Sequence, residues 1–362
     1  MQRHRIVVAA TVASATLLLA PGIGARVVRS TLLAPSLVEN RLGESPARAL
    51  IVVHPPGYDD TATRYPVVYL LHAWGAGPDS WLGREGYEGL NVSDALRAAI
   101  EAKRIGPMIL VLPDARTALG GSWYANSVTG GAWEDFVATD VVAYVDRTYR
   151  TIPERSARGI AGQSMGGYGA LRIAMNRPET FGSVLGMSAP NLVEPNPFGE
   201  DAARAAVELE RSTSATSSPL ARVLWSKAVA FSPTPGRAPF HAEIPWSVVE
   251  GKLVSSAPVW ERWLDSALVR LVPRRAGDLR RLRIRLEVGD QDPLIGETRA
   301  LAAALAGAEV PHELVAFQGD HVRGVRARFE AGVFEFFDQG FRAARAVPPV
   351  PPAPEPAGPA GS

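Results

Sequence analysis

Gly162-Gln163-Ser164-Met165-Gly166-Gly167 decides the reading of this chain, because a short apolar run at 157–161 precedes it and a helix-forming stretch through Ala174 or Met175 follows. A serine hydroxyl is a poor nucleophile at neutral pH and needs a base to take its proton and a geometry that presents its oxygen. A sharp strand-to-helix turn supplies that geometry, with Gly162 and Gly166 leaving room for backbones that a Cβ would crowd. Gly167, Gly169 and Ala170 keep the first helical turns slim against a sheet. The fixed positions of the motif are common residues, so its place between a strand and a helix is what singles out Ser164 as a nucleophile.

Working outward, residues 49–53, 66–71 and 108–112 read as buried strands, each closed by His, Pro or Gly loop signals. Residues 92–105 and 133–149 carry apolar side chains at helical spacing. Downstream, 183–187 reads as a strand, 297–305 as a helix, 313–317 as a last strand and 325–337 as a closing helix. In 282–288, Leu282, Ile284, Leu286 and Val288 alternate with Arg283, Arg285 and Glu287, which predicts one wet face and a place near the sheet margin. Strands alternating with helices predict the α/β class: a mostly parallel central sheet flanked by helices. The rhythm breaks at about 191–280, with a Ser-rich patch, several prolines and Trp225, Trp246, Trp260 and Trp263. We read that stretch as an inserted, cap-like region with its own helices, within a single domain spanning 26–346.

A base for Ser164 is sought among six histidines. His321, in Gln318-Gly319-Asp320-His321 after the last strand, satisfies the order nucleophile, acid, histidine. His54 and His72 precede the nucleophile, His312 begins a strand, His241 lies in the insertion and His4 lies near the N-terminus. The acid should sit buried beside the imidazole, fixing its tautomer. Gly289-Asp290-Gln291-Asp292-Pro293 follows a strand and offers two carboxylates, of which Asp292 is favoured and Asp290 is the substitute. Asp320 is too close to His321 in sequence for a straight bridge to its ring.

A tetrahedral intermediate also needs donors aimed at its oxyanion. The Met165 amide, at the start of the post-nucleophile helix, is one; the second is placed in His72-Ala73-Trp74-Gly75-Ala76-Gly77, at the Trp74 amide. His72, Trp123 and Tyr124 are candidates for lining a substrate cleft, with core packing the competing role. The chain shows no H-E-x-x-H and no cysteine, and Gly75, Gly77 and Gly83 lack the Gly-Lys-Ser/Thr end of a P-loop, so no metal or cofactor is expected.

The termini and the charge narrow the partners. Residues 1–5 are short and basic, 6–20 almost wholly apolar or small, and Pro21, Gly22 and Ala25 follow, which predicts an export signal over 1–25. An uncleaved anchor is the alternative, since no charge falls between Arg5 and Arg26. Cleavage after Ala25 would remove Arg3 and Arg5 and leave 36 basic against 37 acidic side chains, down from 38 against 37. A near-neutral chain without a long basic block argues against nucleic acid as a partner. Complete absence of cysteine is compatible with export. Residues 347–362, rich in Pro, Ala and Gly, read as a tail outside the domain.

On these residues the sequence resembles the putative-esterase branch of the α/β-hydrolases, the group of esterase D-like enzymes, feruloyl and acetyl-xylan esterases and secreted mycolyltransferases. Tyr69-Leu70-Leu71-His72-Ala73-Trp74-Gly75, Leu112-Pro113-Asp114, Trp123-Tyr124, Trp133-Glu134-Asp135-Phe136 and Gly162 through Ala170 carry the likeness, which runs from about Ala49 to Asp338 and thins across the insertion. It implies an α/β-hydrolase with Ser164 as nucleophile, Asp292 as acid, His321 as base, and Met165 and Trp74 as oxyanion donors. The loop departs from the family in reading His72-Ala73, where esterases of the branch often have His-Gly and mycolyltransferases Asp-Gly. The expected function is a secreted serine carboxylic-ester hydrolase acting through an acyl-enzyme on a small-molecule, glycan-linked or lipid ester, with no stable membrane span after signal cleavage. Two other readings remain: an acyltransferase acting on cell-envelope glycolipids or sugars, and a non-catalytic binding protein on a hydrolase fold.

Overall fold

The computed structural model describes residues 25–84, 86–191, 193, 198–211 and 218–346. The expected export signal, all but Ala25, and the expected tail at 347–362 therefore lie outside the described residues. One sheet is built from β1 (Arg26–Leu33), β2 (Ala47–His54), β3 (Val67–Leu71), β4 (Ile109–Pro113), β5 (Arg158–Gln163), β6 (Ser183–Met187), β7 (Arg283–Gly289) and β8 (His312–Phe317). Their spatial order is β1-β2-β4-β3-β5-β6-β7-β8. β1 pairs antiparallel with β2, and β2 antiparallel with β4; every other neighbouring pair is parallel.

The period of two along each strand sorts side chains between two apolar layers. Val67, Tyr69 and Leu71 of β3 enter one layer with Ile109 and Val111 of β4. Val68 and Leu70 enter the other with Leu110 and Leu112. Helices cover both faces, so β3 and β4 are apolar on both sides, and each fully enclosed aliphatic side chain contributes about 1.5–3 kcal/mol.

Four sequence expectations change in detail. β1, which was not anticipated, runs along the sheet edge with Leu32 alone buried, so it lacks the apolar run that marks the inner strands. The helix expected over 92–105 ends at Glu101, after a start capped by Asn91, whose Oδ1 accepts from the Ser93 amide at 3.0 Å. The closing helix is two, Val325–Glu330 and Val333–Ala346, parted at Gly332, where φ is +140°. Finally, β7 is indeed next to the margin, but its polar face is not wet. Glu287 is fully enclosed and held by Arg328 through two bonds of 2.8 Å, and Arg285 lies over Phe336, 4.5 Å from the ring centroid. Charged residues alternate there because they pair with one another beneath the C-terminal helices, and pairing offsets the penalty of burying each charge.

Within 191–280 the described residues form helices Gly199–Arg211, Pro219–Phe231, Ala257–Leu264 and Leu268–Leu279 and a hairpin of Trp246–Val249 with Lys252–Ser255. Ala206, Trp225, Val229 and Trp263 join the same apolar layer as Tyr69 and Met165. Polar ties reinforce the union: Trp123 Nε1 donates to Ser226 Oγ at 2.8 Å, and Tyr168 OH to the Ser266 carbonyl at 2.9 Å. Lys227 is wholly enclosed, its Nζ 3.3 Å from Asn191 Oδ1 and 4.7 Å from the Trp123 ring centroid. Burial lowers its pKa to about 7, against the opposing pull of Glu297.

Candidate active site

β5 ends at Gln163, and Ser164 turns the chain into the helix Met165–Asn176 with φ 55° and ψ −123°, a conformation that L-residues rarely hold. The Ser164 amide donates to the Met187 carbonyl at 2.9 Å, which ties the turn to β6. The close approach explains the glycines. A Cβ on Gly162 would lie 2.3 Å from the Gly166 carbonyl carbon, and one on Gly166 would lie 2.0 Å from the Leu71 carbonyl oxygen. Strand, helix and the loop after β3 therefore meet with no space for a side chain between them.

Three residues far apart in the chain converge above this turn. His321 Nε2 is 3.0 Å from Ser164 Oγ, and His321 Nδ1 is 3.0 Å from Asp292 Oδ2. Asp292 is enclosed while the imidazole is 36% exposed, so the array is anchored below and open above. Burial pushes the Asp292 carboxyl up, but the His321 ring, the Leu294 amide at 2.9 Å and the Ser188 hydroxyl together outweigh it and hold the pKa below the usual carboxylate value. The carboxylate is ionised at neutral pH and keeps the Nδ1 proton on its own side of the ring.

The geometry chooses between the acids. Asp290 accepts from the Gly319 amide at 3.0 Å and so buttresses the loop that carries His321. Asp320 takes the amides of Val322 and Arg323, at 2.9 and 2.8 Å, and caps that same loop. Among the other histidines, His54 ends β2, which runs opposite to β4, and His312 begins β8; both therefore sit at the sheet edge away from Ser164.

The two oxyanion candidates lie at the start of a helix and in the loop after β3. The Met165 amide opens a helix and has no intrahelical acceptor. Trp74 follows β3 in a loop fastened to the 117–121 turn by the Gly75 amide, 2.9 Å from the Gly120 carbonyl. Its indole covers Gly120 and Gly121 beside the Met165 side chain, where a Cβ on Gly121 would lie 2.4 Å from Met165 Sδ and 2.9 Å from Trp74 Cδ1.

The cleft-lining candidates His72, Trp123 and Tyr124 are corrected by their burial, since none presents a side-chain surface to a substrate. His72 donates from Nδ1 to the Ala73 carbonyl and accepts the Ala115 amide at Nε2, both at 2.9 Å. Tyr124 OH donates to the His72 carbonyl at 3.1 Å, and Trp123 is engaged by Ser226. His72 and Tyr124 thus brace the loop bearing Trp74, while Trp123 ties its own segment to the inserted helix Pro219–Phe231. Burial pulls the His72 ring down to about 4, against the Ala73 carbonyl and Asp114. Sequence reasoning passed over Gln163, whose Nε2 donates to the His321 carbonyl at 2.6 Å, and Glu88, whose Oε2 accepts the Gly324 amide at 2.7 Å. Gln163 stood inside the motif, but a one-dimensional pattern carries no sign of where its carboxamide points.

A mostly parallel sheet with a serine at a strained strand-to-helix turn, backed by histidine and a buried aspartate, defines an α/β-hydrolase of the serine type. A family model described as "Putative esterase" matches residues 45–332, and the chain belongs to that family. An esterase of Mycobacterium tuberculosis is 31% identical over 143 residues, 38% of this chain and 28% of the relative. The endo-1,4-beta-xylanase/feruloyl esterase of Xylanibacter ruminicola is 33% identical over 119 residues, 33% of this chain and 16% of the relative. The matched part is thus less than a third of the length of either curated relative. Among solved structures, a ferulic acid esterase superposes with a TM-score of 0.61 at 21% identity, covering 89% of this chain and 99% of the other. The S-formylglutathione hydrolase of Agrobacterium tumefaciens does so with a TM-score of 0.56 at 16% identity, covering 87% and 96%. At such identities these two show the fold.

Proposed function

We propose that the chain is an exported serine carboxylic-ester hydrolase that works through an acyl-enzyme. The observation that carries this reading is the continuous relay from Ser164 Oγ through His321 to Asp292, with both links at 3.0 Å. Ser164 Oγ attacks the ester carbonyl carbon as His321 Nε2 takes its proton, and the charge that develops on the carbonyl oxygen falls to the amides of Met165 and Trp74. Collapse breaks the C–O bond to the alcohol, which leaves with the proton from His321. Water then gives a proton to the same nitrogen and attacks the acyl carbon; the C–Oγ bond breaks, His321 returns that proton to Oγ, and the acid leaves with the serine free. Asp292 stays ionised throughout and stabilises the imidazolium. An open imidazole suits an ester presented on a larger body, and a glycan-linked or aryl ester agrees with the feruloyl esterase named among the relatives. The basic-then-apolar order of residues 1–25 supports export.

The test compares wild type with Ser164→Ala on p-nitrophenyl and feruloyl esters and with a fluorophosphonate probe. Serine-dependent turnover and labelling are expected, and equal behaviour of the two proteins would remove the catalytic assignment. Product analysis with a sugar acceptor in excess distinguishes hydrolysis from acyl transfer. N-terminal sequencing of the protein recovered outside the cytoplasm should begin at Arg26.

A further inference from the structure

The loop that carries His321 is held by side chains from elements distant in sequence. Asp290 and Glu88 grip the amides of Gly319 and Gly324 at its two ends, at 3.0 and 2.7 Å. Gln163 alone among these grips residue 321 itself, through the main-chain carbonyl at 2.6 Å. Its side chain is buried, and it is joined by one peptide bond to the residue whose hydroxyl the imidazole must meet. The alternation along β5 places Gln163 on the same sheet face as Ala161, which packs in the layer that also holds Val325, the start of the helix leading out of the loop. A carbonyl can only accept, so the bond also settles which end of the carboxamide faces His321: the NH2 group.

We propose that Gln163 is a positioning residue for the histidine base. Its N–H donation to the His321 carbonyl sets the height of the imidazole over the Ser164 hydroxyl, coupling the backbones of nucleophile and base. The proposal rests on the reading of Ser164, His321 and Asp292 as a catalytic array. Proton transfer between Oγ and Nε2 tolerates little displacement, and a misplacement of about 1 Å can lower the rate about 100-fold. The loss falls on the chemical step, because Gln163 does not reach the surface where an ester would bind.

Two variants separate positioning from mere support. Gln163→Met keeps the length of the side chain and removes the donor. Its kcat on p-nitrophenyl acetate should fall about 10- to 100-fold with KM little changed, and fluorophosphonate labelling should slow in parallel. Gln163→Glu supplies a donor only while its carboxyl is protonated. The ratio of its kcat/KM to that of wild type should therefore fall as pH rises through the titration of the new carboxyl, whereas the Gln163→Met ratio stays flat. Wild-type kcat in a folded Gln163→Met protein, or a flat ratio for Gln163→Glu, overturns the proposal. A third measurement needs no substrate: the NMR signal of the His321 Nδ1 proton bonded to Asp292 should shift or broaden in Gln163→Met, and an unchanged signal overturns the proposal. If wild type neither hydrolyses esters nor takes the probe, the catalytic reading fails, and the proton signal still decides whether Gln163 sets the ring.

Discussion

His72→Gln gives a direct measure of what the buried imidazole beneath the candidate oxyanion loop does. In the folded chain the ring must be neutral, since Nε2 accepts the Ala115 amide at 2.9 Å and a second ring proton would face that N–H. Burial, against the Ala73 carbonyl and Asp114, holds its pKa at about 4, whereas the unfolded chain titrates at the ordinary 6.5. A folded value below the unfolded one means that the unfolded chain takes up the proton first. Stability is therefore complete above pH 6.5 and is lost as pH falls towards 4, by roughly 3 kcal/mol at the lower end. Glutamine keeps an acceptor for Ala115 and has nothing to protonate. Urea unfolding followed by tryptophan fluorescence from pH 7.5 to pH 4 should show wild type losing roughly that amount of stability relative to the variant as pH falls. The constant offset between the two proteins is immaterial, because only the change with pH belongs to His72. Parallel stability curves over this range would refute the enclosed, neutral ring.

Other consequences are as sharp. Gly166→Ala places a Cβ 2.0 Å from the Leu71 oxygen, where ordinary contact begins at 3.4 Å, so the loop bearing Trp74 must move off the helix by more than 1 Å. A loss of about 100-fold in kcat and a lower melting temperature are expected, and a fully active variant would contradict the packing. Lys227, lowered to about 7 from 10.5, makes the wild type more stable as pH rises from 7 towards 10.5, because the unfolded chain keeps its proton longer. Relative to Lys227→Met, wild type should gain roughly 2 kcal/mol between pH 7 and pH 9 in urea unfolding; no gain would show that burial does not depress the titration of this ammonium. Asp292→Asn should cut kcat about 10⁴-fold by leaving the wrong tautomer at His321, whereas Asp290→Asn, still able to accept from Gly319, should cost less than about 10-fold. Equal losses would return the choice of acid to the open state it has in the sequence.

Much of the sheet was legible because buried parallel strands are short, apolar and bounded by turn residues: the reading of 183–187 coincides with β6, and β3 to β5 differ from it by at most two residues at either end. β1 escaped because an edge strand with a single enclosed side chain has no apolar run to mark it. The polar side of β7 was misjudged for a related reason. Alternation in sequence reports that alternate residues are charged, but not that Arg328, some forty positions on, arrives to pair with Glu287.

The local chemistry of the site was set by the chain alone: a serine between glycines at a strand-to-helix turn can hardly be read otherwise, and a histidine after the last strand follows from topological order. Tertiary structure decided what depends on direction. It chose Asp292 over Asp290 by which carboxylate faces the ring, turned His72, Trp123 and Tyr124 inward, and aimed Gln163 at the His321 carbonyl. Side-chain direction arises from the meeting of segments remote in sequence, and a hydrogen bond of 3 Å or less exists only once those segments have packed.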